Sequence, residues 1–488
     1  MHRTIGLLIV ISLSAWAEEA DAGVEASLPP PAVVVPPPPP PPVDAGVPAT
    51  GYDAVTSPWG PGRKSSGEAF RSMAKALPAG PTRWTWGPVS LAIGGQYFAR
   101  GELRDGNDFN AAAGDHTFGL DQRARLSVRA SAFERVGVLV ELQDVRAWGS
   151  EPNTVTVTPN TGLHQGFVDL RATDWLDVRV GRQELSYGED RLIGNLDWAQ
   201  TARAFDGVFA RATVSPKFTL DAFGMLLKPP AWVTPDGGGA RFHNSGTVFT
   251  GLYARTRLEK SGFDVYALGL FDDPATAATG RMKDSNRVTL GARGFVGWGG
   301  LAVVAEGAFQ TGKVGPREEL LLAGAFAAKA TYTFSAVWGA PYVGAEFSGA
   351  SGDGDATDGV EHGFNQLFPT GHIHLGYMDL VGWQNVVAGH GVVGFRPGGA
   401  HVWLDVHHFG AWDPKGAWYA ANGSVFLAAD ATRTAGTMGT ELDFNVTVPV
   451  FQNFALAGNF SVFLPGNEAS ARGTSPATWG FLSVRSQF

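Results

Sequence analysis

Residues 117–130 read TFGLDQRARLSVRA, and a period of two sorts them into faces. Phe118, Leu120, Ala124, Leu126, Val128 and Ala130 share one face, while Asp121, Arg123, Arg125, Ser127 and Arg129 share the other. A charged side chain facing lipid at the bilayer midplane costs about 2–4 kcal/mol, so the arginines must point into a polar interior. The same unit recurs from about Val89 to Phe488: a run of alternating residues, a short turn, a second such run, then a long polar loop. Only a closed sheet pairs every backbone group in lipid while enclosing a polar face. The pattern predicts a transmembrane β-barrel.

The compact turns set its size. They fall at Phe133-Glu134-Arg135, Thr173-Asp174-Trp175, Pro216-Lys217, Glu259 to Gly262, Gly299-Gly300, Val337 to Ala340, Pro397 to Gly399 and Pro449 to Asn453. Eight turns on one side join nine hairpins, hence 18 antiparallel strands, with short periplasmic turns and long extracellular loops. A barrel of that width encloses an aqueous channel. The chain ends in WGFLSVRSQF, which places Leu482, Val484 and Phe488 on one face and resembles the C-terminal signal of bacterial outer-membrane barrels.

Composition agrees. The β pattern occupies about 400 of 488 residues and leaves no second core; there are 65 glycines, 15 tryptophans and no cysteine, which excludes disulfides and thiolate metal sites. The net charge of −9 is diffuse and argues against a nucleic-acid binder. Residues 1–17 read as a signal peptide, with His2-Arg3 before an apolar run from Ile5 to Leu13 and Ala15-Trp16-Ala17 as the cleavage site; a short membrane anchor is the alternative. Residues 18–87 read as a disordered periplasmic linker. Its segment from Pro29 to Pro48 is a polyproline II rod of roughly 60 Å, a plain spacer or a dock for peptidoglycan or an export partner. The barrel takes residues 88–488.

The same parity turns further charges inward: Arg179 between Val178 and Val180, Arg255 and Arg257 against Leu252 and Ala254, and Arg287 and Arg293 against Val288, Leu290 and Ala292. Arg211 and Lys329 follow, as do the acids Glu141, Asp169, Glu306, Glu346, Glu441 and Asp443. Basic groups concentrate in the first two-thirds of the barrel and acids in the last third. These charges either solvate a wide pore and pair with one another, or form a row that grips carboxylates, since guanidinium stays charged and binds them in a bidentate fork.

The stretch from Gly181, GRQELSYGEDRLIGNLDWAQTARAFDGV, closely resembles the signature of the bacterial alginate-export outer-membrane family. VELQDVRAWG from Val140, FNQLFPTGHIHLGYMDLVGWQN from Phe364 and TELDFNVTVPVFQNFALAGNFSVFLPG from Thr440 follow the family's pattern too. The resemblance implies an 18-stranded barrel, with loops folded into an arginine-rich pore, through which an anionic uronic-acid polysaccharide leaves the periplasm. It carries the motif positions Arg182, Glu184, Tyr187, Asp190, Arg191, Arg203 and Asp206, with Asp144 and Arg146, into the pore-lining set.

Other signals are weaker. Asp353, Asp355, Asp358 and Glu361 form either a calcium loop or a solvated extracellular loop, and His372, His374, His401, His407 and His408 lack the spacing of a zinc site. No metal or cofactor is expected. No serine–histidine–acid spacing suggests an enzyme. A monomeric outer-membrane channel in contact with lipid and lipopolysaccharide of a Gram-negative bacterium is expected, exporting an anionic polysaccharide. The alternatives are a general porin for small anionic solutes and a structural or adhesive barrel plugged by loops. A one-signed row of arginines tells against the plug, which favours paired charges.

Overall fold

The computed structural model describes residues 83–487 except 111–114, 150–160, 229–231, 234–240, 243–246, 272–285, 316, 356, 435 and 452–453. The expected signal peptide, nearly all of the linker including Pro29 to Pro48, and Phe488 lie outside the described residues.

Eighteen antiparallel strands close into one barrel. They are β1 Val89–Asp105, β2 Thr117–Ala132, β3 Val136–Ala147, β4 Thr161–Arg171, β5 Leu176–Gln183, β6 Phe205–Ser215, β7 Phe218–Lys228, β8 Thr247–Arg257 and β9 Ser261–Phe271, followed by β10 Asn286–Trp298, β11 Leu301–Val314, β12 Glu319–Thr333, β13 Tyr342–Ala350, β14 Val386–Phe395, β15 His401–Gly410, β16 Thr437–Phe451, β17 Phe454–Pro465 and β18 Ala477–Gln487. Each strand pairs with its neighbour in sequence, and β18 returns to β1 from Gln96↔Gln487 to Asp105↔Thr478, so no edge is left for lipid. Seven of the compact turns fall where the sequence puts them; the eighth, Pro449 to Asn453, lies partly outside the described residues, between the paired Phe451 and Phe454. A short strand, Arg83–Trp86, folds back on Val89–Ala92, so regular structure begins a few residues before the expected barrel boundary.

Alternation decides which side of the wall each residue meets. Leu126, Val128, Leu252, Leu290, Phe347, Leu404 and Leu482 are exposed on the outer surface, where hydrocarbon replaces water. Exposed Phe133, Trp175, Trp298, Trp338 and Phe451 sit at or beside the short turns, an aromatic girdle that marks the periplasmic interface. No helix among the described residues is long and apolar enough to cross a membrane; the strands do so. At the other end, segments 184–204, 351–385 and 411–436 are long. Leu185, Ile193, Phe364, Leu375, Val381 and Trp418 within them are buried, so these segments fold into the barrel and fill much of its described interior.

Candidate functional site

Arg123, Arg179, Arg211, Arg255, Arg287 and Arg293 lie buried on the inner face, with Arg125, Arg129, Arg257 and Asp121 on the same face and partly accessible. The motif residues taken from the resemblance divide differently. Glu184, Asp190, Arg191 and Arg203 enter the interior on segment 184–204, whereas Arg182, Asp206, Asp144 and Arg146 face outward, a correction to their pore-lining assignment. The reason is register: Arg179 and Gln183 point in, so Arg182 between them points out with its partner Asp206, at 2.6 Å. Glu141 points in and Leu142 out, so Asp144 and Arg146 follow Leu142, pairing at 2.9 Å. Both pairs stand toward the extracellular ends of their strands, where the polar headgroup region begins.

The inward charges are not a one-signed row. Asp221 accepts from Arg211 at 2.6 Å and from Arg255 at 2.8 Å, and Asp264 bridges Arg257 and Arg293. Asp169 takes Arg179 at 2.7 Å, and Glu141 lies on the same inner face. Arg287 donates to Gln310 Oε1 at 2.7 Å. Because the charges are paired, pairing cannot separate a channel from a plugged barrel. Asp221 and Asp264 were missed by the sequence reading, although parity reveals them: Leu220 and Phe263 face lipid, and each aspartate is the next residue.

Segment 184–204 spans the lumen between opposite walls. Asp197 accepts from Arg123, Arg125 and Arg485 at 2.9–3.1 Å, and Arg123 also donates to the carbonyls of Asp197, Ala199 and Gln200. Further along, the Tyr187 hydroxyl donates to Asp221 at 3.1 Å, while Arg191 reaches Glu346 on β13 at 2.6 Å and Glu189 meets Lys329 on β12 at 3.4 Å. Burial alone raises the Glu184 carboxyl, but a hydrogen bond with His164, the Arg125 charge and the Asn195 amide outweigh it and hold the group at about 2. Burial pushes Arg203 down to about 10; it donates to the carbonyls of Gly194, Phe368 and Pro369.

Those carbonyls show how the two loops dock. Ile193 and Phe368 form a parallel bridge, with Gly194 N–H to Phe368 O at 2.8 Å and Phe368 N–H to Leu192 O at 2.9 Å. The approach explains a motif glycine: a Cβ on Gly194 would lie 2.3 Å from Thr370 Oγ1. Gly181, at φ +131°, is held so close to β4 that a Cβ would meet Gly166 O at 2.2 Å.

The alginate export family matches residues 89–480, all but the edges of the barrel. The chain belongs to the alginate export family. Among solved structures it is similar to Pseudomonas aeruginosa OccK9 (OpdG), at 13% identity and TM-score 0.55 over 82% of this chain and 98% of that one. OpdL of the same organism gives 13% and 0.54 with the same coverage, and OpdK, solved with vanillate, gives 10% and 0.51 over 81% and 98%. These likenesses show the barrel fold. No curated protein matches the sequence. Family and fold place this alginate-export barrel in the outer membrane of a Gram-negative bacterium, as a channel in contact with lipid and lipopolysaccharide.

Two features of this alginate-export barrel remain. Arg129, near the periplasmic end of β2, forms no ion pair with any described carboxylate, unlike Arg123 and Arg125. About a quarter of the way round the barrel, on β15 and β16, Asp405, Glu441 and Asp443 are buried without an arginine or lysine ion pair among the described residues. Asp353, Asp355 and Asp358 each cap a local N–H two residues on or nearby, as in Asx turns, and do not converge as calcium ligands.

Proposed function

We propose that the barrel is a passive conduit for an anionic, uronic-acid polysaccharide leaving the periplasm, whose carboxylates pass along the arginine wall. Residues 1–17 then act as its secretion signal. The observation that carries this reading is that carboxylates on the arginine wall are shared: Asp221 holds both Arg211 and Arg255, and Asp264 holds both Arg257 and Arg293. A passing carboxylate exchanges with a resident one rather than meeting a bare cation. At an effective dielectric near 20, a pair about 4 Å apart gains on the order of 4 kcal/mol before desolvation, and competition from the resident acid reduces that grip toward the weak, multi-site binding conduction requires. Polymer synthesis or a concentration gradient supplies the drive, and segments 184–204 and 363–385 move aside to admit the chain.

A second reading, a porin for small anionic solutes, is favoured by the same loops, whose apolar residues are buried inside the barrel, and by OpdK, solved with vanillate. The experiment separating them is block of single-channel current in a planar bilayer. A conduit for polyuronate shows anion selectivity and is blocked progressively more strongly by longer uronate oligomers, but not by neutral oligosaccharides of equal length. Block by a uronate monomer equal to that by an oligomer favours the porin. Equal block by neutral and anionic oligomers rejects both.

A further inference from the structure

We propose that the acidic wall holds a binding site for one first-row divalent transition-metal ion of the zinc class, formed by His390, His407 and Asp405, with Asp443 beside them. Four facts lead there. Register assembles the site: His390 on β14 lies directly opposite His407 on β15, and Asp405, two residues before His407 on the same face, lies opposite Asp443 on β16. Distance gathers it: one ligand atom from each of His390, Asp405 and His407 lies within 4.8 Å of the others, the only such trio among the described residues. His390 Nε2 stands 2.8 Å from Asp405 Oδ1, and His407 Nε2 stands 3.7 Å from Asp443 Oδ2.

Burial makes the arrangement expensive without a cation. His407 is 2% exposed and Asp443 and Glu441 are 0% exposed; among the described residues His407 Nδ1 has no hydrogen-bond partner, and the Glu441 and Asp443 carboxyls lie within hydrogen-bond reach of each other with no arginine or lysine paired to either. Carboxylates buried without a fixed cation are strongly disfavoured unless they neutralise or bind one. The remaining oxygens are already oriented: Asp405 Oδ2 accepts from Asn445 at 3.2 Å, and Asp443 Oδ1 accepts from Ser461. Such outer partners fix ligand carboxylates in metal sites.

Finally, there is room. A cavity of about 50 Å³ borders His390, Asp405, His407, His374 and His401, and also Lys329, whose ammonium is paired with Glu189 at 3.4 Å rather than with these acids. The rings of His390 and His407 stack at 4.2 Å, so a shared ion requires one imidazole to turn toward this space. Paired imidazoles with a carboxylate suit zinc, nickel or copper(II) better than calcium or magnesium, which prefer all-oxygen shells.

The test uses the full-length barrel refolded in detergent, stripped with EDTA and titrated with zinc chloride against a chromogenic chelator. Heat-modifiable mobility verifies the fold of each variant. The expected result is one saturable site per barrel, weakened at least tenfold by His390→Gln, His407→Gln or Asp405→Asn. His408→Gln leaves it unchanged, because His408 faces outward on the same strand. Excess calcium or magnesium does not compete. Should a variant fail to fold, cobalt(II) on the wild type decides: visible bands of an imidazole-ligated ion that zinc displaces support the site. No saturable zinc binding, zinc binding that survives in the His390→Gln/His407→Gln double variant, or no cobalt bands would overturn the proposal.

Discussion

Arg123 and Arg129 share a strand face but not a task. Arg123 is fully buried and holds Asp197 together with three carbonyls of the crossing loop, so its guanidinium is a clamp. Hydrogen bonds to charged groups contribute roughly 1.5–3 kcal/mol, so Arg123→Gln loosens the loop, seen as raised open-channel conductance and a lower heat-modification temperature. Arg129 makes no such clamp among the described residues. Arg129→Gln leaves the heat-modification temperature unchanged but weakens uronate block; the reverse pattern would exchange the two roles. Glu184 adds a pH signature. Its carboxyl is depressed from 4.5 to about 2, so its stabilisation is present above pH 4.5 and is lost as pH falls toward 2. The difference in heat-modification temperature between wild type and Glu184→Gln shrinks across that window, and a constant difference would remove Glu184 from the linkage.

At the scale of the element, the docking of segment 184–204 on segment 363–385 decides whether the interior is open. Paired strands lie about 4.7–4.9 Å apart, inside the roughly 4.4–6.8 Å Cα window of a disulfide. The chain has no cysteine, so Ile193→Cys with Phe368→Cys gives a unique cross-link at the bridge. If export requires the loops to part, oxidation abolishes access of uronate oligomers and reduction restores it. Unchanged block in the oxidised protein would show that the polymer path avoids the bridge. The strands and turns around these loops were legible from a period of two and from turn chemistry, because a membrane wall allows each face one environment. The loop docking was not, since no local pattern pairs Ile193 with Phe368 across the lumen. Arg182 shows the converse error: the motif drew it into the pore, while the parity of β5 sends it outward.

For the whole molecule the controlling fact is closure. Strand β18 makes ten register pairs with β1 and ten with β17, whereas Arg83–Trp86 pairs only with the start of β1. The histidine–carboxylate cluster belongs to this scale, since His390, His407 and Asp443 come from three strands and meet only when the sheet is in register. Sequence spacing along one strand therefore could not reveal it. In hydrocarbon each unpaired backbone group costs several kcal/mol, and removing one strand from a closed barrel opens two edges at once. Deleting residues 18–80 from the secreted protein removes none of the barrel ladders, so the barrel inserts and keeps its heat-modifiable shift. Deleting residues 477–488 strips both ladders of β18, and even the apolar outer face of the remaining strands cannot offset that loss. The expected outcome is a protease-sensitive chain with no heat-modifiable form. An inserted, protease-resistant product from the C-terminal deletion would mean that β1 and β17 close directly on each other, and that the observed 18-strand register is not what holds the barrel in the membrane.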